Sequence, residues 1–343
     1  MVTTCNNAVL SGGGNDTRLF VWGNMTAPSY CFYSELVNGL TSAEYFPETN
    51  YISLSGHKIN DIIRHYDRQI IFTDKGAFYS YDELVTDDMG VVHHSFPVFT
   101  LSSQKGNLAP GQATIIDNCP VTVWYDGIYK WVSTNIRDER NAKHISDRVS
   151  KMLAEKMPQP NLYPATMFDF EATGELWVAA SDTVFVYNYR LDIWYIYDNI
   201  PAYSFVIVAN TLFFGTYSGK IARVSEYVSD DDGAAIECEW KTPYFDCGNM
   251  AKLKELRSLT LMLNNTNANS VDVYWKSDDQ AGDATPIAIV TPASTGGTTI
   301  VPLRMMIKRF NTAKLIIRNS ALTNDASVLS MTLGIKILSK ELI

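Results

Sequence analysis

Five histidines, one cluster of carboxylates, an acidic run and a glycine-rich turn are the places where this chain could carry chemistry. His57, His65, His93, His94 and His144 fall in no H-E-x-x-H or other metal-ligand spacing. His93 and His94 are adjacent, and neighbours on an extended strand point to opposite faces, so the pair reads as solvated rather than as a metal or acid–base site. Asp169, Glu171 and Glu175 form the densest acidic group beside a strand-like run. Paired carboxylates are what glycoside hydrolysis requires, one to protonate the leaving oxygen and one to attack or to activate water. Abundance is not pairing, and these three read as turn and surface charges. The run Ser229-Asp-Asp-Asp-Gly233 has three carboxylates, but consecutive aspartates do not aim at one calcium ion and no EF-hand spacing follows. Ser11-Gly-Gly-Gly14 lacks a following phosphate-binding lysine and reads as a flexible turn. There is no G-x-S-x-G elbow, P-loop or G-x-G-x-x-G. The expectation is therefore of no catalytic, cofactor-binding or metal-binding residue, no cofactor, unassigned partner-binding residues, and a chain that is not an enzyme. The five cysteines, Cys5, Cys31, Cys119, Cys238 and Cys247, are odd in number with no C-x-x-C pair, so they read as buried reduced thiols.

The elements that would position any site are strands. Hydrophobic residues make up 46% of the 343 and charged residues 19%, enough apolar surface for more than one core. Short runs rich in Val, Ile, Tyr, Phe and Trp alternate with Gly, Asn, Asp and Pro clusters, as in Arg18-Leu-Phe-Val-Trp22 and Tyr30-Cys-Phe-Tyr33. A strand–turn–strand–turn–strand grammar recurs at Ile59–Tyr81, Ala113–Val132, Thr166–Tyr189 and Tyr203–Glu226. A repeated unit of apolar inner strands with a polar outer one is what a propeller blade needs. Asn188–Tyr197 supplies such an outer hairpin, turning at Arg190-Leu191-Asp192. The repeats are imperfect, and a stack of meandering sheets without ring closure is the alternative.

One segment breaks the pattern. From Asp138 to Met157, Ile145, Val149, Met152 and Leu153 share one face at helical spacing, Ser146 or Asp138 stands at the cap position, and Pro158-Gln-Pro160 ends the run. A connector helix near 138–157 is expected. Beyond the acidic run, Ile236–Pro243, Leu256–Leu263, Ser270–Lys276, Ile287–Val290, Thr299–Val301, Lys314–Arg318 and Leu329–Leu338 predict seven or eight antiparallel strands. The expected architecture is all-β: a β-propeller-like domain over 1–228, its ring either closed or incomplete, followed by an antiparallel β-sandwich domain over 234–343.

The net charge of −9 is uneven, −11 before residue 234 and +2 from there on. An acidic first region disfavours tight binding to a phosphate backbone. No apolar run reaches the ~20 residues of a membrane span and the amino terminus lacks a basic-then-apolar signal, so a soluble protein without a signal peptide or membrane segment is expected.

Asn15-Asp-Thr-Arg-Leu-Phe-Val-Trp-Gly-Asn24, Tyr45-Phe-Pro-Glu48 and Tyr66-Asp-Arg-Gln-Ile-Ile-Phe72 resemble tailed-bacteriophage neck and tail structural proteins, of the packaged-DNA stabilisation, tail-hub or nozzle kind. Arg140-Asn141…Ile145-Ser146 and Leu212-Phe-Phe-Gly-Thr-Tyr-Ser-Gly219 look like the same family, and Trp240-x-Thr-Pro…Gly248…Lys254 resembles the sandwich modules appended to such proteins. The family carries a further β-rich segment before the Asn-Asp-x-Arg motif, so this chain is expected to start mid-repeat. The resemblance implies a virion structural protein made in the host cytoplasm, part of the neck or tail around the DNA channel. Its implied partners are the portal, adaptor and tail fibre or needle, six or twelve copies of itself in a ring, and phage DNA passing without sequence-specific binding. The alternatives are a host-receptor or glycan-binding tail protein and a propeller glycosidase.

Overall fold

A computed structural model of the chain describes residues 2–11, 18–37, 40–41, 45–86, 88–133, 141–157, 165–225, 230–231, 233–265, 270–278, 286–291, 297–319 and 327–341. It divides into two compact units, Met1–Val224 and Ser225–Ile343.

Among the described residues the first unit has five antiparallel meander sheets in succession and two two-stranded hairpins, Leu36–Val37 with Leu40–Thr41 and Glu83–Thr86 with Val92–Ser95. The first sheet is built from Asn7–Ser11, Arg18–Trp22, Tyr30–Tyr33 and Tyr51–Ser53; the second from Ile59–His65, Arg68–Thr73, Ala77–Tyr81 and Val98–Ser102. Ala113–Ile116, Cys119–Trp124, Gly127–Trp131 and Ala142–His144 form the third, and Thr166–Phe170, Glu175–Ala180, Thr183–Asn188 and Ile193–Asp198 the fourth. Among the described residues the fifth has three strands, Ala202–Val208, Thr211–Thr216 and Ile221–Arg223. The first strands of successive sheets pack beside one another, which makes the five sheets blades of a propeller-like arrangement.

Burial along each blade follows from this stacking. Arg68–Thr73, Cys119–Trp124 and Glu175–Ala180 are buried at every position but the first, because a blade's second strand is covered on both faces. Each interface between neighbouring blades has its own apolar layer. Phe20, Trp22 and Cys31 meet Ile59, Ile62 and Ile71 between the first two, and Ile70, Phe72 and Leu101 meet Trp131 between the next two. Val121, Val123 and Ile128 meet Leu176, Val178 and Phe185, with Leu153 and Met157 added, and Trp177, Val184 and Val186 meet Ala202 and Leu212. Each such fully buried large side chain stabilises the fold by roughly 1.5–3 kcal/mol. Turn residues fit the tight hairpins: Asp117 and Asn118 both have positive φ between strands paired Ile116 to Cys119, the geometry of a two-residue primed turn.

Two expectations need correction. The repeat at Ile59 is not the first sheet of its kind: a four-stranded sheet precedes it, with strand Asn7–Ser11 ahead of Arg18. The repeat was hidden there because the connections are long and Tyr51–Ser53, the fourth strand, stands well apart from Tyr33. The helix is also much shorter than 138–157: Ala142–His144 is the outer strand of the third blade, Asp147–Val149 a single tight turn, and only Ser150–Lys156 is α-helical. Pairing of Tyr129 with His144 won over helical spacing, and Ser146 uses its hydroxyl to accept from the Ile128 amide rather than as a cap. Asp138 and Pro158–Pro160 lie outside the described residues, as do Gly12–Thr17 and parts of the acidic run. Of that run, Asp230–Asp231 pairs with Ala234–Ala235, and Asp230 Oδ1 accepts from the Gly233 amide at 2.7 Å.

The second unit is a β-sandwich. One sheet has the order Cys238–Lys241, Ala313–Asn319, Val271–Ser277, Ala288–Val290, and the other Gly297–Phe310, Lys252–Asn265, Ser327–Glu341. Leu259, Leu261 and Leu263 alternate inward from the second sheet and meet Val271, Val273, Leu315 and Ile317 of the first. The strands of the second sheet are far longer than Thr299–Val301 suggested, running 14 or 15 residues through a bulge at Leu256–Ser258.

Candidate functional site

The sandwich is open along one side. Cys238–Lys241 is the edge of one sheet and Ser327–Glu341 the edge of the other, and a groove of about 450 Å³ runs between them. Val271 and Ile317 form an apolar floor, and Val328, Leu329 and Met331 form the facing wall. Trp240 pairs with Ile317, so its side chain leaves the strand on the inter-sheet side, yet at the edge it stays 53% exposed. A large aromatic face is thereby held at the lip by a backbone ladder and kept in contact with water.

Glu239 and Arg318 alternate with Trp240 and Ile317 along their strands, so their side chains lie on the other face of that sheet and brace the edge strand from behind. Arg318 Nε donates to Glu239 Oε2 at 2.6 Å across the strand pair, and its guanidinium lies 4.6 Å from the Tyr274 ring centroid. Lys241 also pairs with Glu239. Burial pushes the Glu239 carboxyl up, but hydrogen bonds from Lys241 and Arg318 outweigh it and hold the group below the usual range. Asn319 Nδ2 donates to the Ser270 carbonyl at 3.1 Å. An apolar floor, one exposed aromatic and the anchored Asn319 amide are the composition of a small-ligand site.

The residues singled out from sequence do not converge. Asp169 accepts from the Tyr189 hydroxyl at 3.2 Å, and burial raises its carboxyl while that hydrogen bond opposes the rise. Tyr189 is pushed up to about 12 by burial and by Asp169. Glu171 contributes its carbonyl to Arg190, and Glu175 Oε2 accepts from Thr173 and from Trp177 Nε1 at 3.3 Å. Glu175 thus braces the turn between two strands, Asp169 engages Tyr189, and Glu171 contributes through its backbone. His57 pairs with Thr73, His65 with the Asn118 carbonyl, and His144 with Ser146 while stacking on Tyr129. His93 is exposed, but His94 is not simply solvated: its Nδ1 lies 2.9 Å from Asp82. Among the described residues no group of three His, Cys, Asp or Glu side chains is placed to hold a metal. Of the cysteines only Cys31 is buried; Cys238 and Cys247 are exposed, contrary to expectation.

Two residues matter more than their sequence context suggested. Arg18, 1% exposed, donates to Glu35 at 2.6 Å and to the Ser34 carbonyl, and lies over Tyr33 and Phe96. Asp61 is buried on the first strand of the second blade and accepts from Asn107 Nδ2 and the Gly111 and Gln112 amides. Neither has a sequence signal beyond a charge within an apolar run.

No protein-family model and no curated protein sequence matches the chain. Among solved structures it is similar to an exo-β-1,3-galactanase from Phanerochaete chrysosporium, at 9% identity and a TM-score of 0.33 over 96% of each chain. It is also similar to the AfRom2 CNH domain, at 11% identity and a TM-score of 0.34 over 91% of this chain and 81% of that one. A third is a glycoside hydrolase family 43 arabinoxylan arabinofuranohydrolase from Bacillus subtilis, at 9% and 0.26 over 97% of this chain and 79% of that one. The expectation that the chain is not an enzyme is corrected by this finding, because two of these three structures are glycosidases. At such identities and TM-scores the likeness transfers no activity. The fold it accompanies is all-β and propeller-like.

Proposed function

We propose that the protein binds a glycan, and that the sandwich groove is where it does so. The observation that carries this is Trp240, half-exposed on the lip of a groove with an apolar floor and with Asn319 anchored beside it. Sugar rings present C–H faces that lie on an aromatic surface and hydroxyls that need oriented polar groups, and this groove supplies the Trp240 ring with the amide of Asn319 held nearby. The phage resemblance adds a setting, a tail protein that meets the host surface. It rests on the residues quoted for it, of which Arg18 is the buried anchor of the first blade.

The test is a screen of immobilised glycans with the full chain, followed by titration of any ligand found. Trp240→Ala is expected to weaken binding by about 1–3 kcal/mol, roughly five- to 150-fold, and Trp240→Phe to keep most of it. Monitoring released sugar in the same mixtures distinguishes binding from turnover. A ligand whose affinity is unchanged by Trp240→Ala would move the site elsewhere.

A further inference from the structure

The outer face of the sandwich's second sheet gathers cations into a small area. Its central strand, Lys252–Asn265, turns Leu256, Leu259 and Leu261 inward. The cross-strand rows Arg309–Glu255–Lys336 and Arg304–Ser258–Gly334 therefore lie on the outward face. The bulge between these rows adds Arg257, which reaches back to the first: its Nη2 donates to Glu255 Oε2 at 3.2 Å, and Arg309 Nε lies 3.6 Å from Oε1. Glu255 is buried beneath this pair, whereas Arg257 and Arg309 are exposed. Arg304 and Lys336 are exposed as well, and among the described residues neither has an ion-pair partner. In the second row a Cβ on Gly334 would collide with Ser258 Oγ, so the serine hydroxyl fills the space of a side chain and the floor of the patch stays low.

Four cations thus surround one carboxylate, and each guanidinium carries about five N–H donors in a planar fork, more than Glu255 can accept. Like charges gathered on neighbouring positions of a sheet cost stability, and an anion held among them offsets that cost. Arginine forks match the oxygens of a phosphate or sulfate, and Ser258 adds a hydroxyl donor at the centre. We propose that this face binds the sulfate or phosphate groups of an acidic glycan, an inference that rests on the reading of the protein as a glycan binder and names the class of glycan. The extent of the patch favours this ligand over a nucleic acid. Two rows on three strands cover about 10 Å in each direction, and the rows beyond them, Pro302–Thr260–Thr332 and Ile300–Met262–Ser330, have no charge. That is room for roughly one or two oxyanions, as a substituted sugar presents, whereas a duplex carries a charge every ~1.7 Å and would run on over a chain of net charge −9. The strand Ser327–Glu341 supplies Lys336 to this face and Leu329 and Met331 to the groove wall, so both contacts belong to one sheet.

The experiment is calorimetric titration of the full chain with sulfated dextran oligosaccharides, unsulfated dextran of the same length, inorganic sulfate, inorganic phosphate and a random-sequence DNA duplex. The wild type should prefer the sulfated sugar to the unsulfated one at least about tenfold, with affinity falling as salt rises. Arg304→Gln combined with Lys336→Gln should remove that preference, and circular dichroism melts matching the wild type confirm that the variant folds. Lys220→Gln combined with Arg223→Gln makes the same change of net charge at exposed positions of the blade unit and should leave the preference intact. Equal losses in the two double variants overturn the proposal, because the effect would then belong to net charge and not to this face. So does a wild type without preference for the sulfated sugar, one that binds free sulfate or phosphate as tightly, or one that holds the duplex more tightly. Trp240→Ala separates this inference from the groove. Sulfated-sugar binding that survives Trp240→Ala but is lost with Arg304→Gln and Lys336→Gln supports this face and removes the groove; sugar binding lost only with Trp240→Ala, with no preference for sulfate, keeps the groove and overturns this face.

Discussion

Asp61 ties the second blade to the third through its carboxylate, which receives the Asn107 side chain and the amides of Gly111 and Gln112 on the way into the next first strand. Burial pushes this carboxyl up to about 7, against the pull of those donors in the other direction. The unfolded chain ionises near the ordinary value, so from about pH 4 to about pH 7 the folded state holds the proton that the unfolded state has lost. Stability contributed by this group is therefore greatest at the acid end and falls as pH rises through that interval, by an amount on the order of 4 kcal/mol. Urea midpoints at about pH 5 and about pH 7.5 should show that decline in the wild type. Asp61→Asn cannot ionise and is expected to flatten the slope. It should also be less stable at the acid end by roughly 1–3 kcal/mol, since its amide N–H groups face the donors of Asn107 and Gln112. A slope unchanged in Asp61→Asn would assign the pH dependence to other groups.

The hairpin Cys119–Trp124 to Gly127–Trp131 shows what the elements demand of single positions and how much of that the sequence displays. Trp124 pairs with Gly127, leaving Tyr125 and Asp126 as the turn, and Gly127 has φ +147°. A Cβ there would stand 2.2 Å from His144 Nε2 and 2.4 Å from Ser146 Oγ, the two groups that hold the outer strand. Gly127→Ala is expected to cost about 1–3 kcal/mol and to loosen Ala142–His144 first, visible as faster amide exchange at Tyr129 and His144. Asp-Gly between apolar runs is a plain hairpin signal, and the blades at Ile59, Ala113, Thr166 and Tyr203 were legible for the same local reason. The outer strand Ala142–His144 was not, because three residues carry no period of their own and are fixed only by pairing with Tyr129–Trp131. Trp240 had a place in a motif, but its exposure depends on Cys238–Lys241 being an edge strand, and strand order is a long-range property. Asp61 and Arg18 lay hidden likewise, since the partners that justify burying a charge come from distant residues.

At the scale of the molecule, the groove and the blade run belong to separate compact units and are expected to separate in function. Each residue lining the groove falls between Cys238 and Met331, and the core beneath it, from Leu259 to Ile317, comes from the same unit. Charged anchors of that unit are also internal: Lys254, fully buried, donates to the carbonyls of Asn249, Lys252 and Asn311, and Glu239 to Arg318 closes within one sheet. A unit of this size with two packed sheets buries enough apolar surface to fold by itself. Residues 225–343 expressed alone are therefore expected to melt cooperatively and to bind the same glycan with an affinity within about threefold of the full chain, since an altered contact worth less than ~0.7 kcal/mol would go no further. Ligand titration of the fragment beside the full chain reads this directly. Loss of glycan binding in a folded 225–343 fragment would mean that the blades contribute to the site.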